Sequence, residues 1–164
     1  MLCRFEQPFD AMVESFIKCR EMLIPLMECK NGSTMPLMYV FGHSHLDVAW
    51  VWPLAETERK CGRTFSTQLA HLDKYPEYIF LQSQPYLYRM LKRSYPELYE
   101  RIRKKVSEGR FIPEGGMWVE ADTNISGGES LIRQFIHGKR FFREEFGVNS
   151  ELLWLPDVFG YTAA

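Results

Sequence analysis

The chain has 164 residues, 46% hydrophobic and 15% aromatic, enough to bury the core of one ordinary domain. Lys and Arg number 20 against 21 Asp and Glu, a formal net charge of -1, so nothing draws the chain electrostatically to nucleic acid or a membrane surface. No apolar run approaches the length of a membrane span.

Apolar residues at helical spacing from about Phe9 to Cys29 predict an amphipathic helix, interrupted or kinked near Pro25. Lys30 to Pro36 is a turn-rich linker. The apolar run Leu37 to Phe41 predicts a first strand. A helix with Pro53 in its first turn then runs to about Lys74. Tyr78 to Leu81 is a second strand. The next helix starts near Pro85 and breaks around Ser94, where Ser94 and Glu97 form a capping box, and Gly109 ends the second piece. Phe111 to Val119 is a third strand candidate, Glu129 to Phe146 a helix closed by Gly147, and Leu152 to Leu155 a fourth strand. Short apolar strands alternating with longer helices predict an α/β fold with a parallel sheet or (β/α) barrel. The basic stretch Arg101 to Lys105, set among glutamates, reads as a solvated helix face.

The start of the chain has no basic segment followed by an apolar one, so no signal peptide is expected and the protein reads as cytoplasmic. Cys3, Cys19, Cys29 and Cys61 show no CxxC spacing and are expected as reduced thiols. The sequons at Asn31 and Asn124 are then chance matches.

The chemistry-bearing residues follow the carboxyl ends of the predicted strands, where α/β folds build their sites. The first strand runs into His43, His45 and Asp47, and the second into Gln82, Ser83 and Gln84. The third runs into Trp118, Glu120, Asp122 and Asn124, and the fourth into Asp157. Alternate residues of an extended chain point the same way, so His45 and Asp47 offer an imidazole and a carboxylate to one point. That pair suits a metal, although a hydrogen-bonded structural pair has the same spacing. His43 reads as a histidine satisfied by backbone. Trp50, Trp52 and Trp118 are sugar platforms or core aromatics with equal ease, Asp122 and Asn124 suit a turn, and Asp157 suits a helix cap.

Taken together, GHSHLDVAWVWPLAETERK, RTFSTQL, EGGMWVEADTNISGGESLIRQF and LWLPDVFGYTAA resemble the amino-terminal catalytic region of glycoside hydrolase family 38, the α-mannosidases, in its vacuolar, cytosolic and bacterial branch. The resemblance covers residues 37–164 and leaves 1–36 as a helical segment and linker. It implies the first part of a seven-stranded-type (β/α) barrel holding one zinc ion, and retaining hydrolysis of terminal α-mannosidic linkages in a mannose-containing oligosaccharide. Position by position it implies His45, Asp47 and Asp157 as zinc ligands and Asp157 also as nucleophile. Trp50 and Phe159 would line the mannose subsite, with Asp122 and Asn124 shaping it.

Family members continue beyond the GYTAA stretch, and their acid/base carboxylate and a further zinc-binding histidine come later. The resemblance therefore implies a truncated catalytic domain, inactive alone, with a weak and open zinc site, whose partner is the rest of that domain. Two other readings compete with it, a zinc-dependent deacetylase on a related barrel and a non-catalytic sugar-binding fragment.

Overall fold

The computed structural model describes residues 3–30 and 32–162. Asn31 of the first sequon and the Ala163–Ala164 end of the last motif lie outside them. The chain divides into two compact units, Met1–Tyr39 and Val40–Ala164.

The first unit carries helix α1 (Phe9–Met27). The helix runs on through Pro25 and ends two residues later, since a proline in a last turn removes only one ladder bond. Ser15, buried on this helix, accepts from the Arg4 amide at 3.1 Å and donates to the Met12 carbonyl at 2.7 Å. Phe5 packs edge-on against Phe16.

The second unit is α/β. Its strands β1 (Gly42–His43), β2 (Phe80–Gln82) and β3 (Phe111–Pro113) form a parallel sheet in that order. Gly42 faces Phe80, and Phe80 faces Phe111. The helices are α2 (Leu54–Lys74), α3 (Pro85–Ser94), α4 (Pro96–Ser107) and α5 (Gly128–Phe146). Buried Thr57, Cys61, Phe65, Leu69 and Leu72 recur along one face of α2 at three- and four-residue spacing. That face meets Leu87, Tyr88 and Leu91 of α3, Tyr99 and Ile102 of α4, Phe80 and Phe111 of the sheet and Phe142 of α5 in one core. Phe111 stacks on Phe65 at 5.8 Å and meets Phe80 edge-on at 5.2 Å. Each such ring contributes about 2 kcal/mol by burial.

Two helix ends follow the sequence closely. Gly109 and Gly147 adopt left-handed conformations with φ near 70°, as glycine tolerates at a helix C-terminus. Past α5, the Val148 amide reaches back six residues to the Phe142 carbonyl.

The strands differ from expectation. The first is Gly42–His43, and Leu37 to Val40 ahead of it are exposed. Its ladder begins only where the Gly42 amide donates to the Ile79 carbonyl at 2.8 Å. The second starts at Phe80, because the Tyr78 amide closes a turn onto the Tyr75 carbonyl. The third ends at Pro113, which has no N–H for a ladder, and Gly115 and Gly116 then turn the chain at positive φ. Leu152 to Leu155 is not a strand: its one backbone bond to the Gly115 loop is long, Trp154 amide to Gly115 carbonyl at 3.4 Å, and the Leu152 amide goes to the Glu114 side chain at 3.3 Å. The Ser94–Glu97 capping box also does not form. Ser94 closes α3, Tyr95 stands at the N-cap of α4 without a side-chain cap, and the Ser94 side chain bonds Glu58 instead.

Candidate metal centre

The loop after β1 carries His45, Leu46 and Asp47. Leu46 is buried in the core, so its neighbours on either side face the opposite way together. His45 Nε2 stands 3.1 Å from Asp47 Oδ1 and 3.4 Å from Asp157 Oδ2. One ligand atom from each of the three residues lies within 4.8 Å of the others. Donors on a tetrahedral ion with bonds of about 2.0–2.2 Å sit about 3.3–3.6 Å apart, so the two distances from His45 suit a zinc-sized ion. The Asp157 side chain is 52% exposed against 23% for His45, so the cluster opens to solvent on the Asp157 side.

Asp157 lies in a turn of the segment after α5, which three groups of contacts hold in place. The Trp154 indole donates to His43, Thr123 donates to the Gly160 carbonyl through its amide and its hydroxyl, and Tyr161 donates to the Leu155 carbonyl.

His43 is not one of the three gathered residues. Its Nε2 accepts the Trp154 Nε1–H at 3.1 Å, so its partner is an indole rather than backbone. Burial and then the neighbouring His45 hold its imidazole below the usual histidine range.

Glu120 was one of several polar residues after the third strand, and the structure gives it a specific position. Its Oε2 lies 2.8 Å from His45 Nδ1, and its side chain is 5% exposed. Oε1 accepts from the Ser83 hydroxyl at 3.0 Å and the Gln84 amide at 3.2 Å. Burial pushes the Glu120 carboxyl above its usual range, against the opposing pull of His45 and the Ser83 hydroxyl. The signal in the sequence is the cluster Gln82, Ser83 and Gln84 at the end of β2, but Glu120 stands 37 and 36 residues beyond Ser83 and Gln84.

Asp122 and Asn124 lie beside this centre in the chain. Asp122 Oδ1 accepts the Asn124 and Ile125 amides at 2.8 and 3.1 Å, which makes an Asx turn, and Asn124 is exposed.

The aromatic loop after Asp47 is held by Thr57. Its buried hydroxyl accepts the Ala49 amide at 3.0 Å and the Trp52 indole at 3.1 Å, and donates to the Asp47 carbonyl at 3.3 Å. Ala49 and Trp50 both take positive φ, 72° and 47°, a conformation non-glycine residues hold only under constraint. Trp52 is thereby tied down beneath Lys60, whereas Trp50 stands 69% exposed and edge-on to it. Phe159 is exposed as well. Trp118 belongs elsewhere, in a cluster with Tyr86, His137, Phe141 and Arg89.

Fold and site together define an α/β domain that gathers an imidazole and two carboxylates beside exposed aromatics. Residues 35–164 match the Glycosyl hydrolases family 38 N-terminal domain, and the chain belongs to that family. It is 47% identical over 150 residues to Alpha-mannosidase G of Dictyostelium discoideum, covering 91% of this chain and 14% of that protein. It is 45% identical over 133 residues to human Alpha-mannosidase 2C1, covering 81% and 13%. Against the Alpha-mannosidase of Saccharomyces cerevisiae it is 40% identical over 158 residues, covering 89% and 15%. The chain thus spans about a seventh of the length of these curated relatives.

Proposed function

We propose that this chain supplies the zinc-binding and nucleophile-bearing part of a retaining α-mannosidase acting on terminal α-linked mannose. The observation that carries the reading is the convergence of His45, Asp47 and Asp157. The donor set suits zinc, and the carboxylate beside His45 Nδ1 is the partner a metal-bound imidazole takes. When bound, the ion would polarise and orient adjacent sugar hydroxyls.

In this reading residues 37–164 are the amino-terminal portion of a seven-stranded-type (β/α) catalytic barrel, and residues 1–36 a helical segment and linker. The parallel three-stranded sheet with helical crossovers supports the barrel. Asp157 attacks the anomeric carbon, and its exposure leaves room for a ring to approach. Trp50 and Phe159 offer their faces to the apolar side of the mannose, while Asp122 and Asn124 shape the neighbouring loop. In the two-carboxylate retaining mechanism a second carboxyl group about 5–5.5 Å from the nucleophile serves as acid/base. A cytoplasmic setting belongs to the same reading, supported by four cysteines that are all unpaired.

Zinc titration of the chain tests the proposal. One ion should bind, and Asp47→Ala and Asp157→Asn should each weaken binding at least ~10-fold. No binding, or equal binding by the variants, would remove the metal site. In the protein that carries this domain, aryl α-mannoside hydrolysis should release the α-anomer first and vanish in Asp157→Asn.

A further inference from the structure

We infer that Glu120 is a positioning residue for His45, fixing the ring so that Nε2 faces Asp47 and Asp157. The inference deepens the proposed metal site and rests on that reading. Three strand ends meet in this arrangement. His45 and Leu46 follow β1, Ser83 and Gln84 follow β2, and Glu120 follows β3.

The carboxylate is held on Oε1 by the Ser83 hydroxyl and the Gln84 amide, while its Oε2 and His45 Nδ1 are buried 2.8 Å apart, out of line for a hydrogen bond and with no other partner among the described residues. Gln84 is itself almost fully buried and acts twice more. Its Nε2 donates to the Leu46 carbonyl at 2.8 Å, and its Oε1 accepts the Glu120 amide at 3.4 Å. One side chain therefore locks both the backbone beside His45 and the carboxylate against its ring. Gln84 takes a left-handed backbone conformation, φ 60°, to stand at the start of α3 with this orientation.

An imidazole has two nitrogens, and the bond made by one decides which proton the other carries. A carboxylate against Nδ1 favours the Nδ1–H form, which leaves the Nε2 lone pair free toward Asp47 and Asp157. It also stops the ring from rotating out of the cluster. Without Glu120, His45 would sample both tautomers and more than one rotamer, and the three donors would no longer be pre-arranged.

Two measurements on the full chain test this, using Glu120→Gln, Glu120→Ala and Ser83→Ala. In zinc-free protein, in buffer alkaline enough to keep the ring neutral, ¹⁵N shifts of His45 should report Nδ1–H in the wild type and a mixture in both Glu120 variants. Zinc affinity should fall by about 10–100-fold in those variants and by a few-fold in Ser83→Ala. A wild type that binds no zinc would overturn the metal reading, and the ¹⁵N measurement would still decide the role of Glu120. An unchanged His45 tautomer in folded Glu120→Gln, with zinc binding equal to wild type, would overturn the inference.

Discussion

Trp154 donates its indole Nε1–H to His43 Nε2 at 3.1 Å, joining residues 111 positions apart. The bond links the end of β1 to the segment that carries Asp157. It also explains why the first histidine of GHSHLD does not join His45, Asp47 and Asp157: its acceptor nitrogen is already engaged.

Trp154→Phe keeps most of the ring and removes the donor. His43 Nε2 then loses its partner in a half-buried position, at a cost of about 1–2 kcal/mol. Urea unfolding should show that loss. Zinc affinity should fall several-fold with it, because Asp157 is held less firmly beside His45.

Thr57→Val retains the shape of the side chain and deletes its hydroxyl. The Ala49 amide and Trp52 indole lose their acceptor, and the strained Ala49–Trp50 turn loses its constraint. The expected destabilisation is about 3 kcal/mol, with a change in acrylamide quenching of tryptophan fluorescence, and Thr57→Ser should restore most of both.

Gly138→Ala addresses packing. A Cβ at this position in α5 would collide with the Gly116 carbonyl and press on Met117, both backbone groups that cannot swing aside. The overpacking cost of about 1–3 kcal/mol should exceed the gain of up to about 1 kcal/mol in helix propensity. A lower thermal midpoint would follow, with α5 displaced from the loop that leads to Glu120.

Glu145 makes the fold acid-sensitive. Burial raises its carboxyl, but the Lys92 ammonium at 2.6 Å and the Tyr99 hydroxyl at 2.8 Å outweigh burial and leave it below the usual glutamate range. A depressed folded pKa contributes stability above the unfolded value, lost as pH falls through the folded one. The urea midpoint should therefore drop as pH falls below the ordinary glutamate range. Glu145→Gln should lower stability at neutral pH and flatten that acid limb.

The sequence by itself determined the helices and the end of the sheet at which chemistry collects. Amphipathic spacing along α2, Pro85 and Pro96 at the starts of α3 and α4, and the glycines closing α4 and α5 are local signals, acting within a turn or two. The motifs that carry family membership are local in the same sense, and the three residues they single out, His45, Asp47 and Asp157, are brought together although no fourth strand among the described residues leads into Asp157. Tertiary structure alone decided where the strands begin and end, since a strand of two or three residues exists only where a distant partner supplies its hydrogen bonds. It also decided that His43 serves Trp154, that Thr57 holds the tryptophan loop, and that Glu120 stands against His45. These are pairings of side chains through space, with no periodicity along the chain to announce them, and burial at the meeting of three strand ends makes them specific.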